Sequence, residues 1–104
     1  FVYTSDHGEM LFDHGLIYKH QMFEAAVSIP LIMAGPGLSR GTRTRTAASL
    51  IALLPTLLDC AAVPASAQTE GVSLLPALRG LAEAPNRPVF AEYHEDGSGA
   101  WPTR

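Results

Sequence analysis

Phe1-Val2-Tyr3-Thr4-Ser5-Asp6-His7-Gly8 opens the chain with four aromatic or β-branched residues, followed at once by an acid, an imidazole and a glycine. The first four predict a β-strand, and Ser5–Gly8 predicts a polar turn at its carboxyl end. Ile29-Pro30-Leu31-Ile32-Met33-Ala34 reads as a second, buried strand, with Pro30 near its start where a missing N–H is tolerated. Gly35-Pro36-Gly37 then breaks the chain sharply. Between the two strands, a long loop runs to about Tyr18, and Met22, Phe23 and Ala26 predict a short helix over 21–26. Downstream, Thr42–Thr46 alternates Thr and Arg as a half-exposed strand would, with the arginines on its wet face. Leu53, Leu54, Leu57, Leu58 and Ala61 form the apolar stripe of a helix over 52–62, with Pro55 in its first turn. A small helix over 74–78 ends at Gly80, and a last strand is predicted over 88–93. Buried strands separated by helices predict an α/β fold with a mostly parallel central sheet.

Composition narrows the functional classes. Of 104 residues, 47% are hydrophobic and 16% charged, which excludes a disordered chain. Seven Lys and Arg against ten Asp and Glu give a net charge of -3, so no nucleic-acid partner is expected. The single cysteine, Cys60, excludes an internal disulfide or a multi-cysteine metal cluster, and its place on the apolar helix reads as a core position. The longest apolar stretch, Ala47–Ala65, is interrupted by Ser49, Pro55, Thr56 and Asp59, so no membrane span is expected. No cationic leader opens the sequence, and the expectation is a soluble protein of unspecified compartment. A strand beginning at residue 1 predicts a piece of a longer protein, with residues 1–104 as one partial domain. Unpaired sheet edges in such a piece predict self-association.

Chemistry concentrates in the first thirty residues. His7, His14 and His20 lie there among Asp6, Glu9, Asp13, Lys19 and Glu24. Asp6 and His7 follow a predicted buried strand, at the carboxyl end where α/β sheets gather their ligands. A carboxylate and an imidazole there can both reach one divalent cation, with Gly8 letting the backbone turn away. By residue type alone, an Asp-His turn is more often a cap or a solvated pair. His14 reads equally as a turn histidine, His20 as a surface residue and Lys19 as a solvated cation.

The order of blocks along the chain is more specific. Thr4-Ser5-Asp6-His7-Gly8-Glu9-Met10-Leu11 is followed by Asp13-His14-Gly15-Leu16, Tyr18-Lys19, Phe23-Glu24, Ile29-Pro30-Leu31-Ile32 and Gly35-Pro36-Gly37. Leu54-Pro55-Thr56-Leu57-Leu58-Asp59, Gly71-Val72-Ser73-Leu74-Leu75-Pro76 and Leu78-Arg79-Gly80 continue the series. Together they resemble the C-terminal portion of the catalytic domain of a sulfatase, in the alkaline-phosphatase-like superfamily. The resemblance implies an alkaline-phosphatase-like sandwich of which only that portion is present. It implies that Asp6 and His7 complete a divalent metal site. Lys19 would contact sulfate oxygens, and His14 would be a substrate contact or proton donor beside it. One metal ion is implied, calcium first; His7 stands where calcium sulfatases commonly carry Asn, and a nitrogen ligand also admits manganese or zinc. A metal-bound imidazole must stay neutral, so function is expected to be acid-sensitive. The substrate implied is a small-molecule sulfate ester.

Glu92-Tyr93-His94 is reminiscent of choline-sulfatase-like members, and His94 would then help line the pocket for a cationic headgroup. An ordinary polar strand end reads equally well. The family's formylglycine nucleophile arises from Cys or Ser in a Cys/Ser-x-Pro-x-Arg motif. Cys60 precedes Ala61-Ala62-Val63-Pro64, with neither Pro at +2 nor Arg at +4, so the nucleophile is expected in a missing N-terminal part. The paired aspartates that complete the family's metal site are likewise absent. Two alternatives stand beside the sulfatase reading. One is a phosphodiesterase or phosphonate monoester hydrolase of the same superfamily. The other is a non-catalytic binding or assembly module, and the 104-residue chain alone is expected to be inactive.

Overall fold

In the computed structural model, residues 1–81 and 88–92 are described. Three-residue strands β1 (Val2–Thr4) and β2 (Leu31–Met33) frame a short helix α1 (Glu24–Val27), and helices α2 (Leu53–Cys60) and α3 (Leu75–Leu78) follow. Single 3₁₀ turns cover Asp13–Gly15 and Leu50–Ala52. The chain forms two compact units, one from Phe1–Asp6 with Pro30–Phe90, the other built on His7–Ile29. Among the described residues, no helix is long and apolar enough to cross a membrane.

In the first unit, β1 and β2 pair antiparallel, with Val2 opposite Met33, Tyr3 opposite Ile32 and Thr4 opposite Leu31. The Ala34 N–H donates to the Phe1 carbonyl at 3.0 Å and lengthens the ladder by one rung. The described strands thus form one antiparallel pair, and the mostly parallel central sheet that was expected is not seen among them. A parallel pair needs a packed crossover, normally a helix laid along the sheet. Of the 26 residues between these strands, His7–Ile29 instead belong to a unit of their own. Pro30 precedes β2, outside the ladder, so its missing N–H costs nothing there.

The predicted Thr42–Thr46 strand does not form. The Thr44 hydroxyl accepts the Thr46 N–H at 3.1 Å and donates to the Thr46 hydroxyl at 2.8 Å, a local turn that competes with an extended ladder. The strand predicted over Pro88–Tyr93 is likewise absent from Pro88–Glu92, where no described strand pairs with the segment. Tyr93 and His94 lie outside the described residues.

Helix α2 forms where its periodicity places it, but the buried face is different. Ala52, Pro55 and Thr56 are buried, whereas Leu54 and Leu57 are 56% and 47% exposed. One hydroxyl selects that face. Thr56 has no accessible surface, donates to the Ala52 carbonyl at 2.6 Å and accepts the Leu74 N–H at 2.9 Å. It thereby ties α2 to the entrance of α3, next to buried Leu74 and Leu75. Gly71 makes the approach to α3 possible: at φ 83°, a Cβ there would collide with the Ile51 carbonyl. Cys60 is exposed, which corrects its assignment to the core; it is the last residue of α2.

Both helices end in the same motif. After α3, the Gly80 N–H donates to the Ala77 carbonyl and the Leu81 N–H to the Pro76 carbonyl, both at 3.0 Å, with Gly80 at φ 68°. After α2, the Ala62 N–H reaches Asp59 at 3.1 Å and the Val63 N–H reaches Leu58 at 2.9 Å. There the left-handed position is held by alanine, at φ 54°.

Two stability predictions follow from these contacts. Thr56→Val leaves the buried Leu74 N–H without its acceptor and is expected to cost about 1–3 kcal/mol, read from denaturant unfolding, with Thr56→Ser losing less. Ala62→Gly removes a Cβ from a left-handed turn and is expected to raise the thermal midpoint, by a gain of up to about 1 kcal/mol.

Candidate functional site

The second unit is held by its backbone. The Gly8 N–H donates to the Ala26 carbonyl at 2.8 Å and the Glu9 N–H to the Ala25 carbonyl at 2.9 Å, so the turn after the Asp-His pair lies flat on α1. Gly8 is required there for space rather than for torsional freedom. A Cβ on it would overlap the Ala25 carbonyl oxygen and lie 3.2 Å from the Ala26 Cα. Met10, 1% exposed, and Ala26 anchor the unit from inside.

From Met10 to Tyr18 the predicted loop is closed by its own hydrogen bonds. The Met10 N–H donates to the Tyr18 carbonyl at 3.0 Å, and the Phe12 N–H to the Leu16 carbonyl at 2.7 Å. Leu11, Phe12, His14 and Tyr18 all take positive φ, at 44°, 70°, 51° and 67°. Each such non-glycine residue costs about 1 kcal/mol or more, and clusters of them mark places where local geometry serves a purpose beyond stability.

His7 and Lys19, twelve residues apart in sequence, meet in this unit. The His7 Nδ1 lies 2.7 Å from the Gly8 carbonyl, which can only accept, so Nδ1–H is the donor. The Nε2 therefore presents its lone pair, and the Lys19 ammonium donates to it at 2.6 Å. His7 is half-buried and Lys19 exposed. An imidazole anchored through one nitrogen to a backbone carbonyl, with the other nitrogen facing positive charge, has the outer hydrogen bond that orients metal-binding histidines.

The remaining expected residues are placed differently. His14 is exposed and its ring stacks on Phe23, with centroids 4.3 Å apart and planes 20° from parallel. No hydrogen bond joins its ring to His7 or Lys19 among the described residues. Phe23, which sequence reading treated only as part of a helix, is thus the residue that orients His14. The signal available for it was the aromatic directly before Glu24. The short helix begins at Glu24, later than predicted, and Phe23 caps it in an extended conformation. His20 is half-buried rather than on the surface, with Tyr18 edge-on to its ring at 6.3 Å. Asp6 is exposed and accepts from the Ser5 hydroxyl at 3.4 Å. It closes the first unit, as His7 opens the second.

Asp6 and His7 have the chemistry of metal donors, but among the described residues no three His, Cys, Asp or Glu side chains gather closely enough to hold an ion. A divalent cation bound through either side chain would need further donors from elsewhere.

Comparison with known proteins gives a consistent result. Residues 1–63 match the sequence profile of the family named Sulfatase. Arylsulfatase K of Homo sapiens is 43% identical over 75 residues, covering 72% of this chain and 14% of that protein. The crystal structure of a Bacteroides thetaiotaomicron protein assigned as a sulfatase superposes with a TM-score of 0.76 at 32% identity, covering 84% of this chain and 20% of that one. A 2-O GAG sulfatase superposes with a TM-score of 0.68 at 30% identity and the same coverages of 84% and 20%. The chain spans 14% of the length of the human relative and is therefore similar to one portion of it.

Gly8→Ala tests what positions His7. The added Cβ must push the turn off α1, so amide hydrogen exchange at residues 8 and 9 is expected to lose its protection. The stability loss is expected to be about 1–3 kcal/mol. Unchanged protection at both amides would contradict the docking described here.

Proposed function

Because the chain belongs to the sulfatase family, we propose that it supplies part of the active site of a sulfuric ester hydrolase. The observation that carries this reading is the contact of Lys19 with His7 at 2.6 Å, within a loop of left-handed residues. In the reading, Asp6 and His7 are metal ligands, Lys19 binds sulfate oxygens, and His14 contacts the substrate or gives its leaving oxygen a proton. The bound cation, calcium first, would supply charge stabilisation for a nucleophile that this chain does not contain. A formylglycine contributed by another segment is the nucleophile the family resemblance implies.

The work of this chain's own residues follows from their chemistry. Nδ1–H of His7, held by the Gly8 carbonyl, keeps the ring from rotating, and Nε2, which accepts from Lys19 in this structure, becomes a metal donor only when that ammonium turns away to the sulfate. The Lys19 ammonium, on an exposed and flexible stem, has three N–H donors for the non-bridging oxygens on which negative charge is spread. His14, stacked on Phe23, has its ring orientation set by a neighbour that carries no proton to exchange. The head of a sulfate ester is a hard anion with one negative charge shared over three oxygens, so a compact ammonium beside a metal ligand is a suitable receptor for it. The alcohol attached to the sulfate is open to assay. The 2-O GAG sulfatase among the structural neighbours makes a sulfated sugar one candidate. Glu92 and His94 would belong to a choline-like headgroup pocket in the other.

The test uses the complete parent protein, assayed on an aryl sulfate and a phosphodiester in parallel. Sulfate-ester turnover is expected to dominate, to vanish on chelation and to return with calcium. Lys19→Met is expected to lower kcat/KM by about 10²–10³-fold, the usual loss when one donor to developing charge is removed. Dominant phosphodiester turnover, or full activity in Lys19→Met, would overturn the reading.

A further inference from the structure

From Ala25 to Leu58 the chain contains no acidic residue, and its only charged side chains are Arg40, Arg43 and Arg45. This stretch of +3 lies in a chain whose net charge is -3. All three arginines are exposed, and no carboxylate pairs with any of them among the described residues. Arg79 of the same unit is also exposed, and its Nη2 lies 3.9 Å from the space a Cβ on Gly37 would fill. Arg40 and Arg43 line an open cavity of about 1630 Å³ whose other walls include Leu38, Thr42, Thr44 and Leu78.

Like charges on one short segment repel one another, and no carboxylate among the described residues offsets them. Their geometry fits a planar or tetrahedral oxyanion, because each guanidinium presents paired N–H donors that match sulfate or carboxylate oxygens. The hydroxyl of Thr42 on the same wall adds a neutral donor. Among the described residues no Phe, Tyr or Trp lines the cavity, so they offer no stacking platform of the kind on which single-stranded bases are held. A polyanion whose charges sit on non-aromatic rings fits this surface better than a nucleic acid.

We propose that the Arg40–Arg45 loop and its cavity form a docking surface for a sulfated polysaccharide. The choice of ligand rests on the sulfatase reading above and on the likeness to a 2-O GAG sulfatase. Charge complementarity carries the surface itself. Its role is to hold an anionic glycan by groups that take no part in ester cleavage.

The test measures binding and turnover separately in the complete parent protein. A fluorescent heparin fragment is titrated against wild type and against Arg40→Ser/Arg43→Ser/Arg45→Ser at several salt concentrations. The variant is expected to bind at least ten-fold more weakly, with the slope of log K against log salt smaller by about two. Its turnover of a small aryl sulfate is expected to match wild type, which also reports that it folds. Should the triple variant fail to fold, Arg43→Gln and Arg45→Gln singly are each expected to lower that slope by about one. Unchanged heparin affinity and slope would overturn the proposal, as would equal or tighter binding of a single-stranded DNA of the same length and charge. Arginine-dependent heparin binding in a parent that cleaves no sulfate ester would sink the sulfatase reading while leaving the docking surface standing.

Discussion

The approach of the Gly8 backbone to the Ala25 carbonyl is the constraint on which the histidine–lysine pair depends. Two hydrogen bonds of 2.8 and 2.9 Å press the turn after His7 onto α1, and no side chain fits between them. Once the turn is flat, the Gly8 carbonyl is fixed and becomes the acceptor for the His7 Nδ1–H at 2.7 Å. The same close packing therefore sets both the position of the ring and the tautomer it adopts. An alanine at position 8 alters the site through the backbone, without touching any group that would meet a substrate.

Strand β1, strand β2, α2 and α3 were legible because each rests on short-range chemistry: β-branched runs, a 3.6-residue period, and Pro or Gly at the ends. The misreadings share a different cause. Leu54 and Leu57 outvote Thr56 in any count of apolar residues, yet Thr56 faces inward, where its hydroxyl has an acceptor in Ala52 and a donor in Leu74, 18 residues further along the chain. Thr42–Thr46 alternates like a strand, but threonine hydroxyls can also bond their own backbone, and Thr44 does so. Cys60 looked apolar by company and is exposed by position on the helix. For the two threonines a side-chain partner decided the outcome, and periodicity carries no information about such partners.

The candidate site was legible to a different degree. The concentration of His and acidic residues marked the region, and the resemblance of ordered blocks gave roles to Asp6, His7, His14 and Lys19. The meeting of His7 with Lys19 across twelve residues was not readable from spacing, because it depends on the loop from Met10 to Tyr18 closing on itself. That closure needs four non-glycine residues in left-handed conformations, which sequence gives no reason to expect. His14 takes one of them, and its stacking on Phe23 replaces the direct contact with Lys19 that a shared substrate role would have predicted.

The charge arrangement extends the same reasoning beyond the site. Lys19 has a nearby nitrogen to receive its proton-bearing end, so its charge is partly spent inside the protein. Arg40, Arg43 and Arg45 have no such acceptor among the described residues, and arginine cannot relieve repulsion by losing a proton. A cation that can neither pair nor neutralise is stabilised only by water, salt or an external anion. Exposed pairs gain little singly, but three guanidiniums on one loop act together on a ligand that carries its own charges at fixed intervals, and the release of that ligand's counterions adds to every contact. A surface of this kind is therefore weak toward a single small anion and strong toward a chain of them. That distinction separates docking of a polymer at the arginine loop from recognition of one sulfate by Lys19.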